Sequence, residues 1–178
     1  MKKKIIMTKK EINYAIERIA SEIIEQNRGT KNLVLIGIIR RGNILTRRLA
    51  KIIKKKGRTA PPAGSIDITL YRDDLQLVAE SPVVHSSRIP FNINKKIVVL
   101  VDDVLFTGRT IRSALDEIID FGRPKSIQLA VLIDRGHREL PIQANYIGKI
   151  VPTSKSEIVN VYLRECDGKD EVEIVRAR

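Results

Sequence analysis

The segment Val98-Val99-Leu100-Val101-Asp102-Asp103-Val104-Leu105-Phe106-Thr107-Gly108-Arg109-Thr110 limits the possible folds more than any other stretch. Its start lies in an unbroken apolar run, Ile97 to Val101. A run without alternation marks a strand buried on both faces, and such strands belong to parallel sheets covered by helices on each side. Two carboxylates then stand at the strand's carboxyl end, and Thr-Gly-Arg-Thr leads into Ile111, Leu115, Ile118 and Ile119 at helical spacing up to Gly122. The segment therefore reads as strand, short loop, helix. In open parallel sheets ligands bind at this end of the strands.

The rest of the chain repeats that alternation. Thr8 and Glu11 have capping-box spacing, and Ile12, Ala15, Ile16, Ile19, Ile23 and Ile24 continue a helical period to Gly29. Leu33 to Ile38 reads as a buried strand, followed by Arg40-Arg41-Gly42 and a helix carrying Leu45, Leu49, Ile52 and Ile53. Lys54-Lys55-Lys56 closes that helix where its dipole favours cations. After a Pro-rich connector, Ile66, Ile68 and Leu70 alternate with Asp67, Thr69 and Tyr71 as in a half-buried strand. No period persists from 72 to 94, so this stretch is expected to be a flexible functional loop. Ile127 to Ile133 is a second strand buried on both faces, and shorter strands are expected at 146–151, 158–163 and 172–175. The expectation is one α/β domain over residues 1–178.

The chemistry of the central segment follows from its residue types. The first amides of a helix lack intrahelical acceptors and, with the dipole, favour a phosphate; Gly108 lets the backbone approach it, and Thr107 and Thr110 add hydroxyls. Asp102 and Asp103 would repel that phosphate directly. They make sense gripping the hydroxyls of an attached sugar, or a Mg²⁺ ion that neutralises a pyrophosphate. The bland alternative is a helix capped by Thr107 or Thr110 beside two solvated acids.

Charge narrows the partners. Residues 1–60 hold 17 Lys and Arg against 4 Asp and Glu, whereas the remaining 118 hold 16 against 17. A localised basic excess favours polyanions such as nucleic acid or phosphorylated metabolites. Seven aromatics and no Trp leave little for base stacking, so phosphate contact is the expected mode. A single cysteine, Cys166, excludes an internal disulfide framework, and no apolar run reaches the roughly 20 residues of a membrane span. A cytosolic protein is expected.

The 98–110 segment resembles the PRPP-binding signature of the type I phosphoribosyltransferases. That resemblance implies a central parallel sheet of about five strands flanked by helices, with a small hood formed by N-terminal and C-terminal segments. It implies that Asp102 and Asp103 hold the ribose hydroxyls and, mostly through PRPP and water, the Mg²⁺ cofactor. It implies that Thr107, Gly108, Arg109 and Thr110 hold the 5′-phosphate and that Val104, Leu105 and Phe106 belong with them among the PRPP-binding residues. It further places pyrophosphate at Ile39-Arg40-Arg41-Gly42, with Arg41 favoured over Arg40, a closing flap at the 72–94 loop, and Asp134 and Arg135 beside the base.

Asp67-Ile-Thr-Leu-Tyr-Arg-Asp-Asp74, Gly122-Arg-Pro, Ser126 to Pro141, Tyr146 to Lys149 and Pro152 to Glu157 extend the likeness across nearly the whole chain. Within the family they are similar to the bifunctional regulators that bind pyrimidine-operon mRNA when uridine nucleotides are plentiful, promote transcription termination, and convert uracil and PRPP to UMP and pyrophosphate. The likeness implies UMP or UTP as effectors, a pyr leader hairpin as RNA partner, and a homodimer or homotetramer. Arg18, His137, Arg138 and Lys149 are the implied RNA contacts. Ser21, Gln26 and Gln143 stand where further cations would be expected, which lowers the number of phosphate contacts. The alternative is a salvage enzyme for uracil or a 6-oxopurine without RNA binding.

Overall fold

The computed structural model describes residues 3–56, 59–71 and 86–176. In chain order the elements are β1 (Lys3–Thr8), α1 (Lys9–Gln26), β2 (Leu33–Ile38), α2 (Arg41–Lys55), β3 (Ala63–Ile66), a 3₁₀ turn (Ile68–Tyr71), β4 (Ile97–Leu105), α3 (Arg109–Phe121), β5 (Ser126–Asp134), β6 (Tyr146–Ile150), β7 (Glu157–Tyr162), a single turn α4 (Arg164–Asp167) and β8 (Glu171–Arg176). Five strands form a parallel sheet in the order β3-β2-β4-β5-β6. A separate antiparallel sheet, β1-β8-β7, is the hood.

Both faces of the parallel sheet are buried, as the continuous apolar runs require. On one face Val99 and Val101 of β4 pack with Ile12, Ile16 and Ile19 of α1 and with Leu45 and Leu49 of α2. On the other, Val98 and Leu100 pack with Ile111, Ala114 and Ile118 of α3. The alternation along β4 thus feeds two cores from one strand. Helix α1 opens with the expected capping box: the Thr8 amide donates to Glu11 Oε2 at 2.7 Å, and the Glu11 amide donates to Thr8 Oγ1 at 3.5 Å.

Three expectations change. The strand expected over Ile66 to Tyr71 ends at Ile66, and a 3₁₀ turn follows. Asp67 Oδ1 accepts the Thr69 amide at 2.9 Å, a local side-chain bond that competes with a sheet ladder. The loop expected at 72–94 lies outside the described residues over 72–85, and over 86–94 it is fixed in place. Arg88 bridges to Ser65 of β3, Ile93 is buried, and Ser87 accepts the Asp67 amide at 2.9 Å while donating to Glu117 of α3. Finally, β1 stands where the sequence pattern announces no strand. Its partner is β8, with Lys3 opposite Val175.

Candidate active site

The carboxyl ends of β2, β3 and β4 enclose a cleft of about 270 Å³, lined by Arg40, Arg41, Asp67, Thr69, Asp102, Asp103 and Thr110 among others. Two glycines bring its walls together. A Cβ on Gly42 would lie 2.3 Å from the Val101 carbonyl oxygen, and one on Gly37 would lie 2.5 Å from the Gly42 carbonyl oxygen. The first turn of α2 therefore rests directly on the backbone of β2 and β4. A cis peptide joins Ile39 to Arg40 just before that turn.

Asp102 and Asp103 line the cleft from within β4, not from its end as expected: the strand runs on through Val104 and Leu105, which pair with Ile133 and Asp134 of β5. Each carboxylate accepts a hydrogen bond from the adjoining main chain: Asp102 Oδ1 accepts the Asp103 amide and Asp103 Oδ1 the Val104 amide, each at 2.9 Å. Burial pushes the Asp102 carboxyl well above its ordinary range, and the neighbouring Asp103 charge adds to the shift. Burial also raises Asp103, against the pull of the Arg41 charge. A buried acid beside a half-buried one, with the Arg41 charge acting on Asp103 alone, is poised to hold groups carrying hydroxyl donors or positive charge.

Facing them, α3 begins at Gly108 with φ of 94°, and no side chain caps the helix. Thr107 Oγ1 accepts the Arg109 amide at 3.3 Å, so the bland capping alternative survives only as this one long contact. The loop before the helix is clamped by the segment after β5. The Thr107 carbonyl accepts the Glu139 and Leu140 amides at 2.9 and 3.2 Å, the Leu105 carbonyl accepts the Arg135 amide at 3.1 Å, and Arg138 Nη1 donates to the Phe106 carbonyl at 2.8 Å. A free helix N-terminus held rigidly opposite two acids can seat a phosphate while the acids hold the sugar it esterifies.

The arginines behave differently from one another. Arg41 lines the cleft, yet its Nε and Nη2 donate to the two carboxylate oxygens of Asp167 in α4 at 3.1 and 2.8 Å. Arg40 lines the same cleft and is exposed. Arg135, expected beside the base, is buried: it donates to Thr153 Oγ1 and to the Ser154 and Glu157 carbonyls, and its guanidinium stacks 4.0 Å from the Phe106 ring centroid. Asp134 accepts the Gly136 amide and pairs with Arg138. Arg109 pairs with Glu139 at 2.7 Å on the surface.

Of the expected RNA contacts, Arg138 is a brace rather than a free cation. It also donates to the Ile142 and Gly136 carbonyls, so four of its five N–H groups are engaged. His137 Nε2 donates to the Thr153 carbonyl. Arg18 bonds Glu22 and the Ile147 and Gly148 carbonyls, and Lys149 Nζ donates to the Ile6 carbonyl at 2.9 Å, so both mark the β6 edge. Asp67, Thr69 and Asp167 join the site although sequence assigns them no role. Asp67 lies in a family-like stretch, but the meeting of Asp167 with Arg41 spans 126 positions and no local pattern announces it.

A metal cage is not present among the described residues, where no three His, Cys, Asp or Glu side chains cluster. The adjacent acid pair instead fits an ion that arrives with most of its oxygen ligands supplied by a phosphorylated substrate and water.

The phosphoribosyl transferase domain family matches residues 4–165. A protein from Pelotomaculum thermopropionicum, named bifunctional protein PyrR, is 61% identical over 171 residues, covering 96% of this chain and 94% of its own. One of the same name from Clostridioides difficile is 59% identical over 169 residues, covering 95% and 96%. Among solved structures, a hypoxanthine phosphoribosyltransferase of Trypanosoma cruzi shares the fold with a TM-score of 0.75 at 21% identity, covering 97% of this chain and 91% of its own. One from Staphylococcus aureus has a TM-score of 0.72 at 21% identity, covering 98% and 92%.

Proposed function

The chain belongs to the phosphoribosyltransferase family, in the group of bifunctional PyrR proteins, and from that membership we infer that it transfers phosphoribose to uracil and regulates pyrimidine-operon transcription by binding mRNA. In the transfer, uracil N1 forms a bond to C1 of PRPP as the bond from C1 to the pyrophosphate oxygen breaks. The N1 proton leaves, giving UMP and pyrophosphate. The observation that carries the reading is the adjacent acid pair of β4, Asp102 buried and Asp103 half-buried, lining one cleft with Thr110 from the uncapped start of α3.

Little covalent chemistry is asked of the protein; positioning and electrostatics carry the rate. Asp102 and Asp103 orient the ribose diol, and the amides around Thr107 to Thr110 hold the 5′-phosphate. Arg40, exposed at the cleft, meets the pyrophosphate, with Arg41 behind it. Arg41, favoured from the sequence, lines the same cleft but its guanidinium is already paired with Asp167, so Arg40 is the proposed first contact. When bound, Mg²⁺ would supply positive charge to the leaving pyrophosphate, held by that substrate's oxygens and, through water, by Asp102 and Asp103. The stacked Arg135 and Phe106 and the Asp134–Arg138 pair stiffen the wall beside the base.

For regulation, Arg18, His137 and Lys149 are the proposed RNA contacts, with Arg138 acting through the loop that it braces. UMP bound at the same cleft is the proposed effector, and a homodimer or homotetramer the proposed assembly. The test is an assay of UMP formation from PRPP and uracil with Mg²⁺, run beside a titration of a pyr leader hairpin with and without UMP. Turnover of uracil and UMP-enhanced RNA binding are expected. Turnover of hypoxanthine but not uracil would overturn the pyrimidine assignment, and UMP-independent or absent RNA binding would overturn the regulatory one.

A further inference from the structure

Helix α2 holds Arg41, Arg47, Arg48, Lys51, Lys54 and Lys55 and no acidic residue. These cations separate into two sets. Arg41 and Arg48 face inward to the hood, pairing with Asp167 and with Glu165 and Asp170. Arg47, Lys51, Lys54 and Lys55 are exposed, at spacings of i, i+4, i+7 and i+8 that set them on one side of the helix. Among the described residues, none of these four has a carboxylate partner. Other surface arginines do: Arg18 pairs with Glu22, Arg109 with Glu139, Arg112 with Asp116 and Arg176 with Glu157.

Like charges three and four positions apart on a helix repel, and here the pairs 47–51, 51–54 and 51–55 all do so. The helix dipole favours Lys54 and Lys55 in the last turn but gives no such support to Arg47 and Lys51, which stand before it. The stripe also continues off the helix. Arg47 lines a groove of about 210 Å³ at the β3 edge, and Arg88, exposed and likewise without a carboxylate partner among the described residues, lines its far side. The result is a linear array of unneutralised charge ending in a two-arginine groove.

We propose that the outer stripe of α2, with the Arg47–Arg88 groove, is a second phosphate-contacting surface for the RNA, separate from the contacts at the β6 edge. The proposal rests on the RNA-binding reading above. Strands β2, β4 and β5 lie between β3 and β6, so the two surfaces stand four strand spacings apart, about 19 Å. An RNA that touches both must cross the α1–α2 face. Regularly spaced cations without stacking aromatics suit a backbone of regularly spaced phosphates, read for charge rather than sequence. The added contacts offset the neutral Ser21, Gln26 and Gln143.

The test is the salt dependence of binding to a pyr leader hairpin in the presence of UMP, for the full chain and for the Lys51→Gln/Lys54→Gln/Lys55→Gln variant. Loss of three phosphate contacts should flatten the slope of log affinity against log salt by about 2–3 units. Uracil transfer should be unchanged, and the thermal midpoint unchanged or higher, since repulsion has been removed. If the parent binds hairpin with UMP but the variant keeps the parent slope, the stripe proposal is overturned while the regulatory reading stands. If the parent binds no hairpin at any salt, both fall. An unchanged RNA slope together with variant-sensitive binding to phosphatidylserine vesicles would assign the stripe to an anionic membrane instead.

Discussion

Asp103 and Arg138 differ in how much of their surroundings the sequence announces. Adjacent acids after a buried strand are visible in sequence because their chemistry is local, and the structure sets both at the cleft. Asp103→Asn keeps the volume and removes the charge. The expected result is a fall in kcat/KM for PRPP of about 10- to 100-fold, the scale of ~1.5–3 kcal/mol for hydrogen bonds to a charged group, with folding retained. Steady-state kinetics beside circular dichroism check it; unchanged kinetics would remove Asp103 from the site. Arg138 is expected from sequence as an RNA contact, and its bonds to the Phe106, Gly136 and Ile142 carbonyls and to Asp134 tie the loop at Phe106 to the segment after β5. Arg138→Ala should cost about 2–4 kcal/mol in urea unfolding and reduce catalysis together with RNA binding. Loss of RNA binding alone would instead return Arg138 to the role of a direct contact.

Helices and buried strands are legible wherever their signal is periodic. Thr8 with Glu11 marks the start of α1, and the apolar runs mark β2, β4 and β5. The elements that escape sequence reasoning are those whose stability comes from distant partners. β1, Lys3-Lys4-Ile5-Ile6-Met7-Thr8, shows no clean alternation and exists because β8 pairs with it. The turn at 68–71 passes for strand in sequence because its apolar residues alternate, while Asp67 bonds its own neighbourhood. Most consequential is α4, a single turn whose Asp167 reaches Arg41 of α2 and so couples hood to cleft. The hydrogen bonds from Arg41 hold the Asp167 carboxyl well below its usual range. A depressed folded value means that the stabilisation is complete above the ordinary carboxylate range, near pH 4, and is lost as pH falls through the folded value. Asp167→Asn should therefore be less stable than the parent by about 1–2 kcal/mol at pH 7, with the gap narrowing as the pH falls below about 4. Denaturant unfolding at both pH values checks it, and a gap independent of pH would show that the ion pair is not its source.

Taken whole, the molecule is a parallel sheet with a cleft at its strand ends, an antiparallel hood, and basic surfaces near both edges of the sheet. No helix of the described residues is long and apolar enough to cross a membrane. A cleft assembled from β2, β3, β4 and the start of α3 should transmit ligand binding to the stability of the entire sheet. UMP at about 100 times its Kd should raise the unfolding free energy by ~2.7 kcal/mol, read as a higher urea midpoint; no shift would mean that UMP does not bind the native protein. The pairing of Lys3 with Val175 has a consequence for biosynthesis. As the chain leaves the ribosome, β1 emerges before every other described strand, yet the strand it needs is translated after all the rest. Until then its backbone donors and acceptors have only water, or another nascent chain, to bond with. The five-stranded parallel sheet can form co-translationally, whereas the antiparallel hood is a late event set by the slow closure of a very long loop.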